Sequence, residues 1–251
     1  MATPIIIAGL RRRTDRRMAI QSQLANRWPK EPLFASDLGL VADWSEWDQA
    51  TINKFSGRTF PWRMTGSSNP WWNRDLKLGE IACTLTHWNI WKYAWDQNFP
   101  QLIVLEDDAE LLPGFYECEG VIADLSTADS WWDLLYLGRE RLEPDSSAFR
   151  NFRRPGFSYC TFGYVLSRHG IWSLLETRLA DCVIPVDEFL PAMYLKHPRN
   201  DVNLRFPPQI HAYGLAGDIV STKNDAAWGS DTEESPFATA TPNAVRYKTS
   251  L

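Results

Sequence analysis

The sequence predicts an α/β domain, a central and mostly parallel sheet flanked by helices. Two observations carry this. Short continuous apolar runs of strand length (Ile5-Ile6-Ile7-Ala8, Leu102-Ile103-Val104-Leu105, Leu134-Leu135-Tyr136-Leu137) alternate with longer helix-like segments. Such runs belong to strands buried on both faces, as parallel sheets require. At 251 residues, 44% hydrophobic and 23% charged, the chain fits a single domain over 1–251 with a substantial core.

The elements follow in order. Residues 5–8 form the first strand, then Gly9 and an Arg-rich segment. Thr14 or Asp15 can cap a helix reaching Trp28, with Met18, Leu24 and Trp28 on one face. This strand–Gly–basic loop–helix order suits a nucleotide held beyond the carboxyl end of a strand. Residues 29–75 read as loops around one short helix near Trp44 to Phe55. A helix from Leu78 to Gln97 carries Trp88, Trp91 and Trp95 beside Leu85, at the spacing of a packing stripe. Thirteen Trp would suit a carbohydrate site, but these three read as core. The strand 102–105 follows Pro100, and 132–138 is another. Residues 139–157, charged and holding Pro144, Pro155 and Gly156, read as a long mobile loop. Tyr159–Leu166 is strand-like, Ser167 caps a helix to Leu179, and Pro185 occupies the first turn of a helix to Lys196. Leu204–Ala212 is extended, with Pro207-Pro208 marking an edge or irregular strand. Residues 222–251 form a polar tail that contributes to the site or covers it.

A net charge of −5 argues against a general nucleic-acid or anionic-membrane binder. The four cysteines are scattered without a Cys-x-x-Cys pair, so buried free thiols are the default. The N-terminus lacks a basic region and a long apolar run, and no stretch reaches transmembrane length. The expectation is a cytoplasmic protein.

The most informative segment is Glu106-Asp107-Asp108, three carboxylates where a buried strand leaves the core. Like charges so placed call for a compensating cation, such as Mg²⁺ or Mn²⁺ bridged to a diphosphate, or else form a solvated acidic turn. Arg11, Arg12, Arg13, Arg16 and Arg17 could grip a diphosphate or line a solvated helix face. Asp187 and Glu188 sit at a helix start, where the dipole stabilises anions and where a general base could stand. His211 follows an extended segment, and Ser230 to Ser235 is a polar acidic stretch.

In order and spacing these segments resemble glycosyltransferase family 25, and within it the catalytic domain of animal procollagen galactosyltransferases. The resemblance runs through Leu10-Arg11-Arg12-Arg13-Thr14-Asp15-Arg16-Arg17, Leu78-Gly79-Glu80-Ile81-Ala82-Cys83 and Thr86-His87. It continues in Val104-Leu105-Glu106-Asp107-Asp108, Trp132 to Arg139, Gly163 to Ser167, Pro185 to Pro191, Lys196-His197-Pro198 and Ser230 to Ser235. It covers roughly residues 5–235 and leaves 29–75 hard to place. Gly9 stands where the family has Asn.

The resemblance implies a GT-A-type fold, a UDP-galactose or UDP-glucose donor and a divalent metal, Mn²⁺ or Mg²⁺. On that pattern Asp108 binds the metal directly. Glu106 faces the ribose or a metal-bound water and is a further metal candidate, and Asp107 reaches donor-sugar hydroxyls. His211 is the candidate for a second protein ligand. Gly9, Leu10, Arg11, Arg17, Gly79, His87, Ser230 and Asp231 fall in donor-binding segments. The family inverts the anomeric centre, so a base must deprotonate the acceptor: Asp187 first, Glu188 second, or Glu188 as a sugar contact. The acceptor implied is a hydroxyl on hydroxylysine of a collagen-like protein, with lipopolysaccharide or another surface glycan as the alternative. A non-catalytic nucleotide-sugar-binding module and a nucleotide-sugar hydrolase are the other readings.

Overall fold

The computed structural model describes residues 2–25, 27–222 and 228–238. In chain order the elements are β1 (Ile5–Ala8), α1 (Thr14–Leu24), β2 (Leu33–Phe34), α2 (Gln49–Ser56), α3 (Leu78–Asp96), β3 (Gln101–Glu106) and β4 (Ala109–Leu111). Next come α4 (Cys118–Ala128), β5 (Leu134–Arg141), β6 (Ser146–Phe149), β7 (Phe152–Arg154), β8 (Ser158–Ser167) and α5 (Arg168–Glu176). The last are α6 (Val186–Tyr194), α7 (Asn200–Arg205), β9 (Ala212–Leu215) and β10 (Val220–Thr222). Eight strands form one sheet in the order β2-β1-β3-β8-β5-β9-β7-β6, and β10 pairs with β4.

The architecture is α/β and GT-A-like, with the sheet between two helical layers. Strand residues alternate strictly between two cores. Ile6, Val104, Tyr136 and Tyr164 pack with α3, α5 and α6; Ile5, Ile7, Ile103, Leu105, Leu135 and Val165 pack with α1 and α4. Trp88, Trp91 and Trp95 pack in the first of these cores.

The sheet is mixed where a mostly parallel one was expected. β1 runs parallel to β2 and β3, and β5 to β9, but β8 is antiparallel to both β3 and β5. The reason is the connection: β5 leads through a hairpin straight into β8, which inserts beside it. That hairpin is the segment expected to be a mobile loop. β6 and β7 pair with each other, and β7 joins the sheet edge against β9.

Other local expectations also shift. α1 ends at Leu24 and starts after Arg13, without a side-chain cap. Met18 is exposed, and the buried positions of α1 are Arg16, Ile20 and Leu24. Pro185 is the N-cap of α6 rather than within its first turn, and Tyr194 ends that helix. Ser167 does cap α5, accepting from the Gly170 N–H. Residues 200–205 are helical, so the extended segment reduces to 206–211 before β9. Among the described residues no helix is long and apolar enough to cross a membrane.

Candidate active site

A cleft of about 370 Å³ opens where β1 and β3 end. β3 is buried until Glu106, then the chain turns through Asp107 and Asp108. The cleft is lined by Gly9 and Leu10 after β1, by the triplet, by Gly79, Cys83 and His87 of α3, by Cys160 of β8 and by Asp187 of α6. The segment 229–233 closes one side.

Gly9 faces the triplet directly, since a Cβ there would stand 2.7 Å from both Cβ and Oδ2 of Asp107. No side chain fits without displacing Asp107, which accounts for Gly at this position. Gly79 is equally constrained, with Ser235 and Thr232 2.7 Å from a Cβ placed on it. Its N–H donates to Ser235 Oγ at 2.8 Å.

The triplet is under-compensated. Arg16 Nη1 donates to Asp107 Oδ1 at 3.0 Å and lies 3.3 Å from Asp108 Oδ2. Asp108 Oδ1 is buried without a partner among the described residues. Glu106 Oε1 accepts from Thr161 Oγ1. Burial, then the charges of Asp108 and Asp187, push the Glu106 carboxyl well up. Burial also raises Asp107 to about 6 against the pull of Arg16. Asp187 rises to about 7, from burial first and the charge of Glu188 next. An orphaned Asp108 oxygen beside carboxylates that resist ionising is a donor set suited to a hard divalent cation. The residues fit one.

The sequence-predicted residues divide. Gly9, Leu10, Gly79, His87, Glu106, Asp107, Asp108, Asp187, Ser230 and Asp231 all line the cleft. Arg11 and Arg17 do not: Arg11 donates to the Ser36 carbonyl, and Arg17 holds Asp37 at 2.6 Å.

His211 is also elsewhere, and it is set aside as a metal ligand. It precedes β9, whose Ala212 pairs with Leu134 at the start of β5. That is the sheet end opposite Glu106, and the His211 side chain is 59% exposed there beside Asp129.

Glu188 is buried beneath the cleft rather than lining it. Its Oε1 accepts from Trp72 Nε1 and Tyr159 Oη, both at 2.9 Å, and Oε2 lies 2.7 Å from His197 Nε2. His197 Nδ1 accepts the Arg199 N–H, so Nε2 carries the proton and donates to Glu188. Glu188 is therefore a hub tying α6, β8, the 69–75 loop and residues 197–199 together, and of the two carboxylates only Asp187 lines the cleft.

The segment 228–235 is strapped across the cleft. Asp231 pairs with Arg12 at 2.6 Å and Arg13 at 2.7 Å, and its carbonyl accepts from Trp44 Nε1. Arg16 Nη2 donates to the Gly229 carbonyl at 2.8 Å, and Lys77 pairs with Glu233 at 2.6 Å. The arginines thus hold protein carboxylates and carbonyls. Arg16, one of the five arginines that could grip a diphosphate, is buried beside Ile20 and Leu24 and holds Asp107 and the Gly229 carbonyl. Cys83 and Cys160, expected by default as buried free thiols, are free but half-buried, and both line the cleft. Cys160 has a φ of 64°, the left-handed region, and its N–H hydrogen-bonds Asp187. Nothing in the local sequence signals that conformation.

The pattern described as Glycosyltransferase family 25 (LPS biosynthesis protein) matches residues 2–151. Procollagen galactosyltransferase 1-A of Xenopus laevis is 33% identical over 203 residues, 73% of this chain and 33% of that protein. A Glycosyltransferase 25 family member of Drosophila melanogaster is 33% identical over 180 residues, 68% of this chain and 29% of its own. Inactive glycosyltransferase 25 family member 3 of Homo sapiens is 30% identical over 240 residues, 92% of this chain and 39% of its own. The chain thus spans between about three tenths and two fifths of the length of these relatives.

Proposed function

The chain belongs to glycosyltransferase family 25, and from that premise we propose that it transfers a hexose, galactose first, from a UDP-sugar to an acceptor hydroxyl with a divalent cation bound. The observation that carries this is the convergence of Glu106, Asp107, Asp108 and Asp187 on one cleft, with a buried Asp108 oxygen left unpaired. Asp108 and Glu106 would hold the cation, Mn²⁺ or Mg²⁺. When bound, the cation supplies positive charge to neutralise the departing diphosphate. Asp187, its carboxyl poised near neutrality, takes the acceptor proton as the acceptor oxygen bonds to the anomeric carbon and the bond to the diphosphate breaks. The acceptor is proposed to be hydroxylysine in a collagen-like protein, because relatives carry the name procollagen galactosyltransferase. A surface glycan is the alternative, in keeping with the family description.

Purified protein with Mn²⁺ and UDP-galactose is expected to release UDP only when a hydroxylysine peptide or glycan acceptor is added. Absence of release with every common nucleotide sugar would overturn the proposal. The relative named inactive favours a second reading, a binding module. UDP affinity that is indifferent to Mn²⁺ would support that reading instead.

The raised carboxyls carry a stability prediction. A carboxyl whose folded pKa lies above its unfolded value stabilises the fold fully below the unfolded value, near 4, and loses that contribution as pH rises through the folded one. Chelated wild type should therefore lose stability relative to Asp187→Asn between about pH 4 and 7. At pH 7.5, Mn²⁺ at about 100 times its Kd should restore about 2.7 kcal/mol, a rise in Tm of roughly 5–10 °C. Thermal melts that keep a constant gap across this pH range would contradict the assignment.

A further inference from the structure

His87 carries an unpaired nitrogen in the buried floor of the cleft. The residue is 1% exposed, and its Nε2 has no hydrogen-bond partner among the described residues. Nε2 lies 3.8 Å from Glu106 Oε1, and with Cys83 Sγ these atoms fall within 4.8 Å of one another. That spacing would suit a metal ion if Nε2 offered a lone pair.

The buried partners of His87 decide against it. Its Nδ1 is 2.7 Å from Tyr164 Oη, and Trp91 Nε1 donates to the same hydroxyl at 2.9 Å. Tyr164 is fully buried, and its oxygen has one proton to place. If His87 Nδ1 also donated to it, the Tyr164 proton would have no acceptor among the described residues, at a cost of about 1–3 kcal/mol. All three groups are satisfied only by a one-way relay: Trp91 N–H to Tyr164, Tyr164 O–H to His87 Nδ1. The proton of the neutral ring then sits on Nε2, a donor on the Glu106 side of the ring.

A donor and a carboxylate acceptor 3.8 Å apart match a group that both accepts and donates. A hydroxyl oxygen about 2.8 Å from each completes both bonds, whereas a phosphoryl oxygen, an acceptor only, would leave Glu106 Oε1 unmatched. We propose that His87, locked as the Nε2–H tautomer by Trp91 and Tyr164, grips a sugar hydroxyl of the donor nucleotide together with Glu106. The inference rests on the nucleotide-sugar reading above. The hydroxyl belongs to the ribose or to the hexose, and UDP against UDP-galactose separates them.

The test joins two measurements. ¹⁵N spectra of imidazole-labelled wild type should show His87 protonated at Nε2 and unprotonated at Nδ1, unchanged when Mg²⁺ is added; the opposite tautomer overturns the proposal. Calorimetry with Mn²⁺ present should show His87→Leu weakening nucleotide binding by roughly 5- to 150-fold. UDP and UDP-galactose are weakened equally if the hydroxyl is on the ribose, and UDP-galactose alone if it is on the hexose. His87→Gln, which returns an N–H near the Nε2 position, should recover most of the loss, and binding of Mn²⁺ alone should not change. Loss of Mn²⁺ binding in His87→Leu, or unaltered affinity for both nucleotides, overturns the inference alone. Wild type that binds neither nucleotide overturns the function proposed above and this inference with it.

Discussion

Asp187→Asn is expected to lower kcat by about 10²–10⁴-fold while leaving UDP affinity with Mn²⁺ within about three-fold. The amide keeps the shape of the side chain and can still accept the Cys160 N–H, but it cannot take a proton from the acceptor. In wild type the rate should climb with pH as the Asp187 carboxyl ionises, with a midpoint near 7 before the cation draws it lower. The sign follows from the chemistry: a base works only when unprotonated, so a raised pKa moves the rising limb to higher pH. Steady-state kinetics from pH 5 to 9 on both proteins would check this. A variant that keeps kcat within ten-fold of wild type at pH 8 would remove Asp187 from the mechanism.

The neighbouring carboxylate should behave in the opposite sense. Glu188→Ala is expected to destabilise the fold by about 3–5 kcal/mol, because it orphans Trp72 Nε1, Tyr159 Oη and His197 Nε2 together. Glu188→Gln should suffer as well, since its amide has one acceptor oxygen for donors that now reach both carboxylate oxygens. Urea unfolding would measure both, and Asp187→Asn should change stability by less than about 1 kcal/mol at pH 4, where the folded carboxyl is protonated. A Glu188→Ala protein as stable as wild type but catalytically dead would reverse the two roles.

That contrast marks the reach of the sequence. Two acids at a helix start are legible as a pair, but successive helical residues point about 100° apart. Pattern cannot say which of them meets the cleft and which the core. The triplet was legible because an apolar strand ends on it, and the cleft-lining segments around Gly9, Gly79 and Ser230 were legible as motifs. His211 was misplaced for a topological reason. Its segment is extended, as read, but it precedes a strand parallel to β5 and so lies at the far end of the sheet. The hairpin of β6 and β7 was hidden by its charge and prolines, which suit an edge as well as a loop. The mixed sheet follows from that same hairpin. Arg16 and Cys160 depend on tertiary contacts that no local window contains.

The strap over the cleft bears on how the protein is made. Arg13 meets Asp231 across 218 positions of sequence, and Arg16 meets Gly229 across 213. A chain emerging from the ribosome in N-to-C order can pair β1 with β3 and bury much of the sheet early. It cannot finish the wall of the cleft until the last described residues arrive. Closing loops of that span is entropically slow, so the cleft is among the last features to mature. Ligand-binding competence should lag behind the gain of secondary structure during refolding.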